Sequence, residues 1–299
     1  MKPPFRSMRR RSRRFRYAAG SAALALLAVL AYGFAIEPAR LVERDYRIPL
    51  RGWPAQCDGL RLDVVADTHT GSPHNGIDNL DRVVRRLLAS DSDAVLLAGD
   101  YVILSVLAGT YVPPREIAEH LRPLAERKPV YAVLGNHDWW KNGREVATQL
   151  HAAGVHMIDN RAARLSLRGC DFWLVGLGDL LEGGPDPARA FGQVADAAPA
   201  IALTHEPDLW PRIRERAVLT VAGHTHGGQI HPWPRRQPGR FTLHSHLLGG
   251  WIVDRGRTLF VSPGIGTSIL PMRLGVPPEI SRLTLRSEAA GAPDAAPAP

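Results

Sequence analysis

The run "DAVLLAGD", residues 93–100, decides the fold. Five consecutive apolar residues with no polar alternation fit a strand buried on both faces, as in a parallel sheet. The run closes on a glycine and a carboxylate. The same shape recurs in "LRLDVVAD" (60–67), "PVYAVLGNHD" (129–138), "PAIALTHEPD" (199–208) and "AVLTVAGHTHGG" (217–228). Between these runs lie helical spacings: Ile77, Leu80, Val83, Val84, Leu87 and Leu88, with Asn75 as the expected N-cap, then helices around 115–126 and near 143–153. "DYRIPL" and "LRLDVVAD" read as two strands around a turn at Asp58-Gly59, and "ARLSLRGCDFWLVGL" as a hairpin turning at Arg168-Gly169. Further strands are expected near 257–262 and 279–286. The fold class is therefore α/β. Sites in open α/β sheets form at the carboxyl ends of strands, so five polar endings should face one crevice.

One ending carries two histidines. In "AGHTHGGQIHPWP" (222–234), His224 and His226 are separated by one residue. On an extended segment, alternate side chains point to opposite sides, so the pair should serve two neighbouring centres. That predicts two metal ions. Glycines on either side let the backbone approach something closely.

Taken in order, the endings are Asp67-Thr68-His69, Gly99-Asp100, Gly135-Asn136-His137-Asp138, His205 and Gly223-His224-Thr225-His226. This series resembles the calcineurin-like metallophosphoesterase superfamily over roughly residues 60–265. "GHTHGGQ" and the later "SPGIGTSILPMRLGVPPEI" resemble its membrane-anchored or exported bacterial phosphodiesterase branch, some members of which cleave the pyrophosphate of a UDP-linked lipid A precursor. The resemblance implies a metallophosphoesterase-type β-sandwich flanked by α-helices, with a dinuclear metal site at the strand ends. It implies Asp67, His69 and His226 on one metal, Asn136, His205 and His224 on the other, and Asp100 bridging both. These donors are oxygen and nitrogen without thiolate, which suits Mn, Fe or Zn. Two cations offset the negative charge of a phosphoester and lower the pKa of a shared water. His137 is then expected to assist the leaving oxygen, with Asp138 either orienting its ring or serving as a structural hydrogen-bond acceptor. His74 and His231, beside motif loops, are candidate substrate contacts.

The protein serine/threonine phosphatases of the superfamily carry an arginine after the bridging aspartate and read GNHE. Here the stretches are "GDYVIL" and "GNHD", which favours diesters or pyrophosphates. The alternatives are a generic soluble phosphodiesterase or phosphomonoesterase, and an inactive metal-binding module. Against the last stands a complete ligand set with His137 in place.

Charge separates the chain into parts. Eight of the 37 Lys/Arg lie in residues 1–16, leaving 29 basic residues against 29 acidic ones. A formally neutral body offers no nucleic-acid surface. Residues 17–36 carry no charge, and about 20 apolar residues span a bilayer. The basic flank predicts a single-pass anchor in the cell membrane with the catalytic body on the extracytoplasmic side. The rival reading is export after signal cleavage at "GFA", 33–35. The expected organisation is a basic cytoplasmic tail 1–16, an anchor 17–36, a linker 37–45, a metallophosphoesterase domain 46–286 and a disordered tail 287–299. Two apolar stretches, "YVILSVLAGTYV" (101–112) and "SILPM" (268–272), are either packed loops or an apolar wall facing lipid, as an adjacent membrane anchor would allow. Cys57 and Cys170 sit in no metal-type pair, and pairing or two free thiols both stay open.

Overall fold

The computed structural model describes residues 5–213, 217–231, 248–254 and 256–288. Among the described residues, twelve strands form two six-stranded sheets. The first contains β1 (Val42–Arg51), β2 (Arg61–Val65), β3 (Ala94–Ala98), β4 (Val130–Val133), β5 (His156–Met157) and β12 (Glu279–Glu288), in the order β1-β12-β2-β3-β4-β5. The second contains β6 (Arg161–Leu167), β7 (Cys170–Gly176), β8 (Ala200–Leu203), β9 (Ala217–Ala222), β10 (Gly250–Asp254) and β11 (Arg257–Val261), in the order β10-β11-β9-β8-β7-β6. Strands β2, β3 and β4 are mutually parallel, as are β7, β8, β9 and β11.

The unbroken apolar runs are explained by burial on both faces. On β3, Ala94, Leu96 and Ala98 face the core between the sheets with Leu62, Val64, Leu174, Leu203 and Val221, while Val95 and Leu97 face the outer layer. That layer is built by α2 (Ile77–Ala89), α3 (Pro114–Ala125) and α4 (Asn136–Ala152) through residues such as Leu80, Leu87, Ile117, Leu121 and Val146. The short helix α5 (Pro187–Gly192) covers the second sheet with Phe191 over Trp173 and Val175. The result is a β-sandwich flanked by helices. Cys57 and Cys170 are joined by a disulfide across a sequence separation of 113. It closes inside the core between the sheets.

Several local expectations are corrected. β1 and β2 do not form a hairpin, because β12 lies between them, parallel to β1 and antiparallel to β2. Gly76, not Asn75, caps α2; the Asn75 amide instead donates to the Thr68 carbonyl. The helix expected near 143–153, α4, begins seven residues earlier at Asn136, with a non-helical Asn142 inside it. The linker expected at 37–45 is largely absorbed: α1 (Phe5–Ala31) continues through a π turn, Tyr32–Ile36, and a 3₁₀ turn, Glu37–Ala39, into β1 at Val42. Part of the expected tail is also structured, since β12 runs to Glu288; residues 289–299 lie outside the described residues.

Candidate metal centre

Every parallel strand that ends in a polar motif delivers it to the same edge of the sandwich. Adjacent endings are stitched by main-chain bonds: Asp67 N donates to Gly99 O at 2.9 Å, His69 N to Asp100 O at 2.9 Å and Gly223 N to His205 O at 2.9 Å. Two clusters of donor atoms result. In one, His205 Nε2, His224 Nδ1 and Asn136 Oδ1 lie 3.1–3.2 Å from one another. In the other, His69 Nε2 is 3.1 Å from His226 Nε2, which is 3.6 Å from Asp67 Oδ1. Asp100 Oδ2 belongs to both, 3.3 Å from His205 Nε2 and 3.6 Å from His69 Nε2. The residues expected at each centre are brought together in this way, with His224 in one cluster and His226 in the other. The reason differs from strand alternation. Both histidines have left-handed backbones, φ 70° and 51°, and His226 opens a 3₁₀ turn.

The backbone is unusual throughout the clusters. Asp67, His69 and Asp100 also take positive φ, at 49°, 38° and 58°. Such conformations cost about 1–3 kcal/mol each in non-glycine residues and persist where the surroundings enforce them. Asp and His tolerate them better than most residues. Gly223 is required by close approach: a Cβ there would meet Asp67 Oδ2 at 2.9 Å and the Ala66 methyl at 2.6 Å.

The protonation pattern fits cations. His69 Nδ1 is 3.2 Å from Val102 O and His205 Nδ1 is 2.7 Å from Ala98 O. A carbonyl only accepts, so each Nδ1 carries a proton, and Nε2, where it holds none, presents a lone pair. Those lone pairs face the acceptor oxygens of Asn136 and Asp100. Acceptors crowded against acceptors repel unless a cation lies among them. Ligands about 2.1 Å from a metal stand roughly 3.0–3.4 Å apart in octahedral or tetrahedral arrangements, so the observed spacings suit a metal. Burial, reinforced by neighbouring imidazoles, pushes His69 and His224 down to about 4 and His226 well below the ordinary imidazole range. Burial disfavours charge on His205 too, but the Asp100 carboxylate overrides it and raises that ring, so a proton and a metal compete for His205 Nε2. Burial would likewise raise Asp100, yet His205 and His69 hold it well below the usual carboxylate range.

His137 sits over this centre. Its main-chain N–H donates to Asp100 Oδ1 at 2.9 Å, and its ring centroid is 4.6 Å from that of His69 and 5.3 Å from that of Trp140. Burial lowers its pKa. Asp138 does not orient this ring. Its carboxylate accepts from the main-chain N–H groups of Asp100 (2.9 Å), Gly135 (3.0 Å), Tyr101 (2.9 Å) and Val102 (3.2 Å). Of the two roles considered for Asp138, the structural acceptor is the one seen. It is a clamp on the backbone that carries Asp100.

Of the two candidate substrate contacts, His74 is engaged elsewhere, with Nε2 2.9 Å from Phe34 O in the segment after α1. His231 lies beside Leu274, whose carbonyl accepts its main-chain N–H. Sequence reasoning missed Arg273, which is fully buried and donates to the carbonyls of Pro263, Gly266 and Val276. Gly266 N in turn donates to Asp67 O at 2.7 Å. The only available signal was one arginine inside an apolar stretch.

Residues 60–228 match the family described as calcineurin-like phosphoesterase. The chain is 30% identical over 281 residues to a "Transmembrane protein with metallophosphoesterase domain" of Danio rerio, which covers 88% of this chain and 62% of that protein. It is 30% identical over 272 residues to "Uncharacterized metallophosphoesterase YkuE" of Bacillus subtilis (strain 168), covering 89% and 93%. It is 30% identical over 199 residues to "Phosphodiesterase YaeI" of Escherichia coli (strain K12), covering 64% and 70%. The chain thus spans less than two thirds of the Danio rerio relative's length.

Proposed function

Because this chain belongs to the calcineurin-like phosphoesterase family, and is therefore a metal-dependent phosphoesterase, we propose that it hydrolyses phosphodiester or pyrophosphate bonds with two divalent cations. The observation that carries this reading is the position of Asp100 Oδ2 between the two histidine clusters. Asp67, His69 and His226 would hold one cation, Asn136, His205 and His224 the other, and Asp100 both. The oxygen and nitrogen donors suit Mn, Fe or Zn. When bound, the cations offset negative charge on the phosphoryl group and acidify water.

The chain's own groups do the rest. Asp138 fixes the left-handed turn that aims Asp100. His224 N donates to both Asp67 carboxylate oxygens, at 3.1 and 3.0 Å, tying one cluster to the other. His137, kept neutral near pH 7 by burial, offers a ring N–H to the departing oxygen and stabilises the charge that develops there. The preference for diesters or pyrophosphates is supported by the phosphodiesterase name of one relative and by Tyr101. That residue follows Asp100 and buries its hydroxyl on the carbonyls of Leu97 and Val133, so no cation stands at this position to grip a monoester dianion.

The finer reading is a lipid-linked phosphoester met at a membrane. One helix, within Phe15–Ala39, is long and apolar enough to cross a bilayer, and the basic residues before it favour a cytoplasmic N-terminal side. The Cys57–Cys170 disulfide supports a body outside the cytoplasm, where such bonds persist. The test uses the full chain in detergent. With added Mn it should cleave bis(4-nitrophenyl) phosphate, and a panel of lipid phosphoesters and UDP-sugars should rank the lipid substrates first. No diester cleavage with any of Mn, Fe or Zn would overturn the enzymatic reading. A preference for soluble nucleotides would overturn only the lipid-linked one.

A further inference from the structure

We propose that the rim of the metal centre is itself a membrane-seating surface. The loop tips at Leu104–Leu107 and Ile269–Leu270 enter the lipid layer that surrounds the N-terminal helix, so the site opens at the headgroup level. This rests on reading residues 17–36 as a membrane span, and is otherwise independent of the reaction catalysed.

Strand direction supplies the first argument. β2 runs toward Asp67; β12 is antiparallel to β2 and β1 parallel to β12, with Val42 paired to Glu279 and Val64 to Ser281. The start of β1 therefore lies at the sheet end that carries the metal clusters, and the apolar helix must leave the body there.

The helix end is also clasped to the rim. Arg273 N donates to Gly33 O at 3.0 Å and Gly275 N to the buried Glu37 carboxylate at 2.8 Å. His74 meets Phe34 O, and a Cβ on Gly33 would strike Met272 Cε at 2.6 Å. The segment Gly264–Met272 lies in the loop after β11, and this same loop carries Ile269 and Leu270. Leu107 N donates to Ile269 O at 3.1 Å, joining the two tips. Anchor, clasp and rim are one packed unit. Met272, in the segment left open between packing and a lipid-facing wall, is buried and belongs to the clasp.

The distribution of exposed apolar side chains is the decisive observation. Among the described residues, each large exposed hydrophobic lies either on the N-terminal segment up to Ile36, on a loop following a strand's carboxyl end or, for Trp140, near the start of α4 at that same end. Those beyond the N-terminal segment are Leu104, Leu107, Tyr111, Trp140, Leu181, Ile230, Ile269 and Leu270. Scattered exposed hydrophobics are ordinary on a soluble surface, whereas confinement to one end marks an interaction site. Residues 101–112 and 262–272 carry no charge. Ile269 is 75% exposed with φ 63°, a conformation a β-branched residue disfavours. Neither packing nor backbone preference explains an isoleucine there; contact with lipid does.

The test keeps the full chain in phospholipid vesicles and places a single added cysteine, carrying an environment-sensitive fluorophore, at Ile269, at Leu107, or at Arg168 on the far hairpin. The labels at Ile269 and Leu107 should shift to the blue and lose most of their emission to phospholipids brominated along the acyl chain, while the Arg168 label stays unquenched. Cleavage of a soluble diester in the same vesicles reports that each variant is folded. Equal, weak quenching at all three positions would overturn the proposal. So would labels that ignore brominated lipid but self-quench as protein density rises, which would assign the rim to a second copy of the chain. Either failure leaves the phosphoesterase reading standing if the diester is still cleaved.

Discussion

Replacing Asp138 by asparagine separates two accounts of the centre. The wild-type carboxylate accepts four main-chain N–H groups, Asp100 and Gly135 on one oxygen and Tyr101 and Val102 on the other. An asparagine keeps one carbonyl oxygen and turns an NH₂ toward the other two donors. Each buried N–H left without an acceptor costs about 1–3 kcal/mol, so Asp138→Asn should destabilise the fold by roughly 2–6 kcal/mol. For a chain of this size, about 2–4 °C per kcal/mol gives a fall in Tm on the order of 10 °C. The clamp also enforces the left-handed φ of 58° at Asp100. Relaxing it should weaken metal binding at both clusters together, by about 10–100-fold as for other groups that position ligands. Differential scanning calorimetry and metal analysis of the same preparation measure both effects. An unchanged Tm with metals retained, and a loss confined to substrates with poor leaving groups, would refute the clamp and restore Asp138 as a partner of His137.

His137→Ala should keep its metals and lose about 10²–10⁴-fold in rate on poor leaving groups, with a smaller loss on a nitrophenyl ester; equal losses on both would indicate positioning in place of leaving-group assistance. Cys57→Ser with Cys170→Ser should lower stability by about 2–5 kcal/mol, because the bond closes a long loop; a melting temperature insensitive to both the substitution and reductant would contradict the pairing. Burial, opposed by the neighbouring His205 ring, pushes Asp67 up to about 7. A proton must leave Asp67 before it can ligate, so Mn affinity should weaken as pH falls, approaching about tenfold per unit below pH ~7. Calorimetric titrations across that range check it, and a flat affinity would remove Asp67 from the ligand set.

The strand cores were legible because burial on both faces leaves an unbroken apolar run, and the polar endings were legible because parallel strands expose their last residues along one edge. The clamp by Asp138 was not. A carboxylate beside a catalytic histidine carries the same sequence signal whether it faces the ring or the backbone, and only the fold of the Asp100 turn decides. The left-handed backbone of five proposed ligands was hidden too, since Asp and His occupy that region without the glycine that normally marks it. β1 and β2 looked like a hairpin from local turn chemistry, but the pairing partner, β12, comes from more than two hundred residues away. The disulfide was invisible for a similar reason: its two cysteines meet only when the sheets pack. Met272 and Arg273 sat in an apolar stretch whose exposed and buried halves share one composition, so the clasp on Gly33 needed coordinates.

The most direct test of the account counts metals. Elemental analysis of the purified full chain should find about two divalent ions per molecule, and Asp100→Asn, by removing charge from the oxygen shared by both clusters, should lower both occupancies together and abolish diester cleavage. A wild-type protein that never binds more than one ion, or an Asp100→Asn protein that holds two at unchanged affinity, would contradict the dinuclear centre on which the proposed chemistry stands.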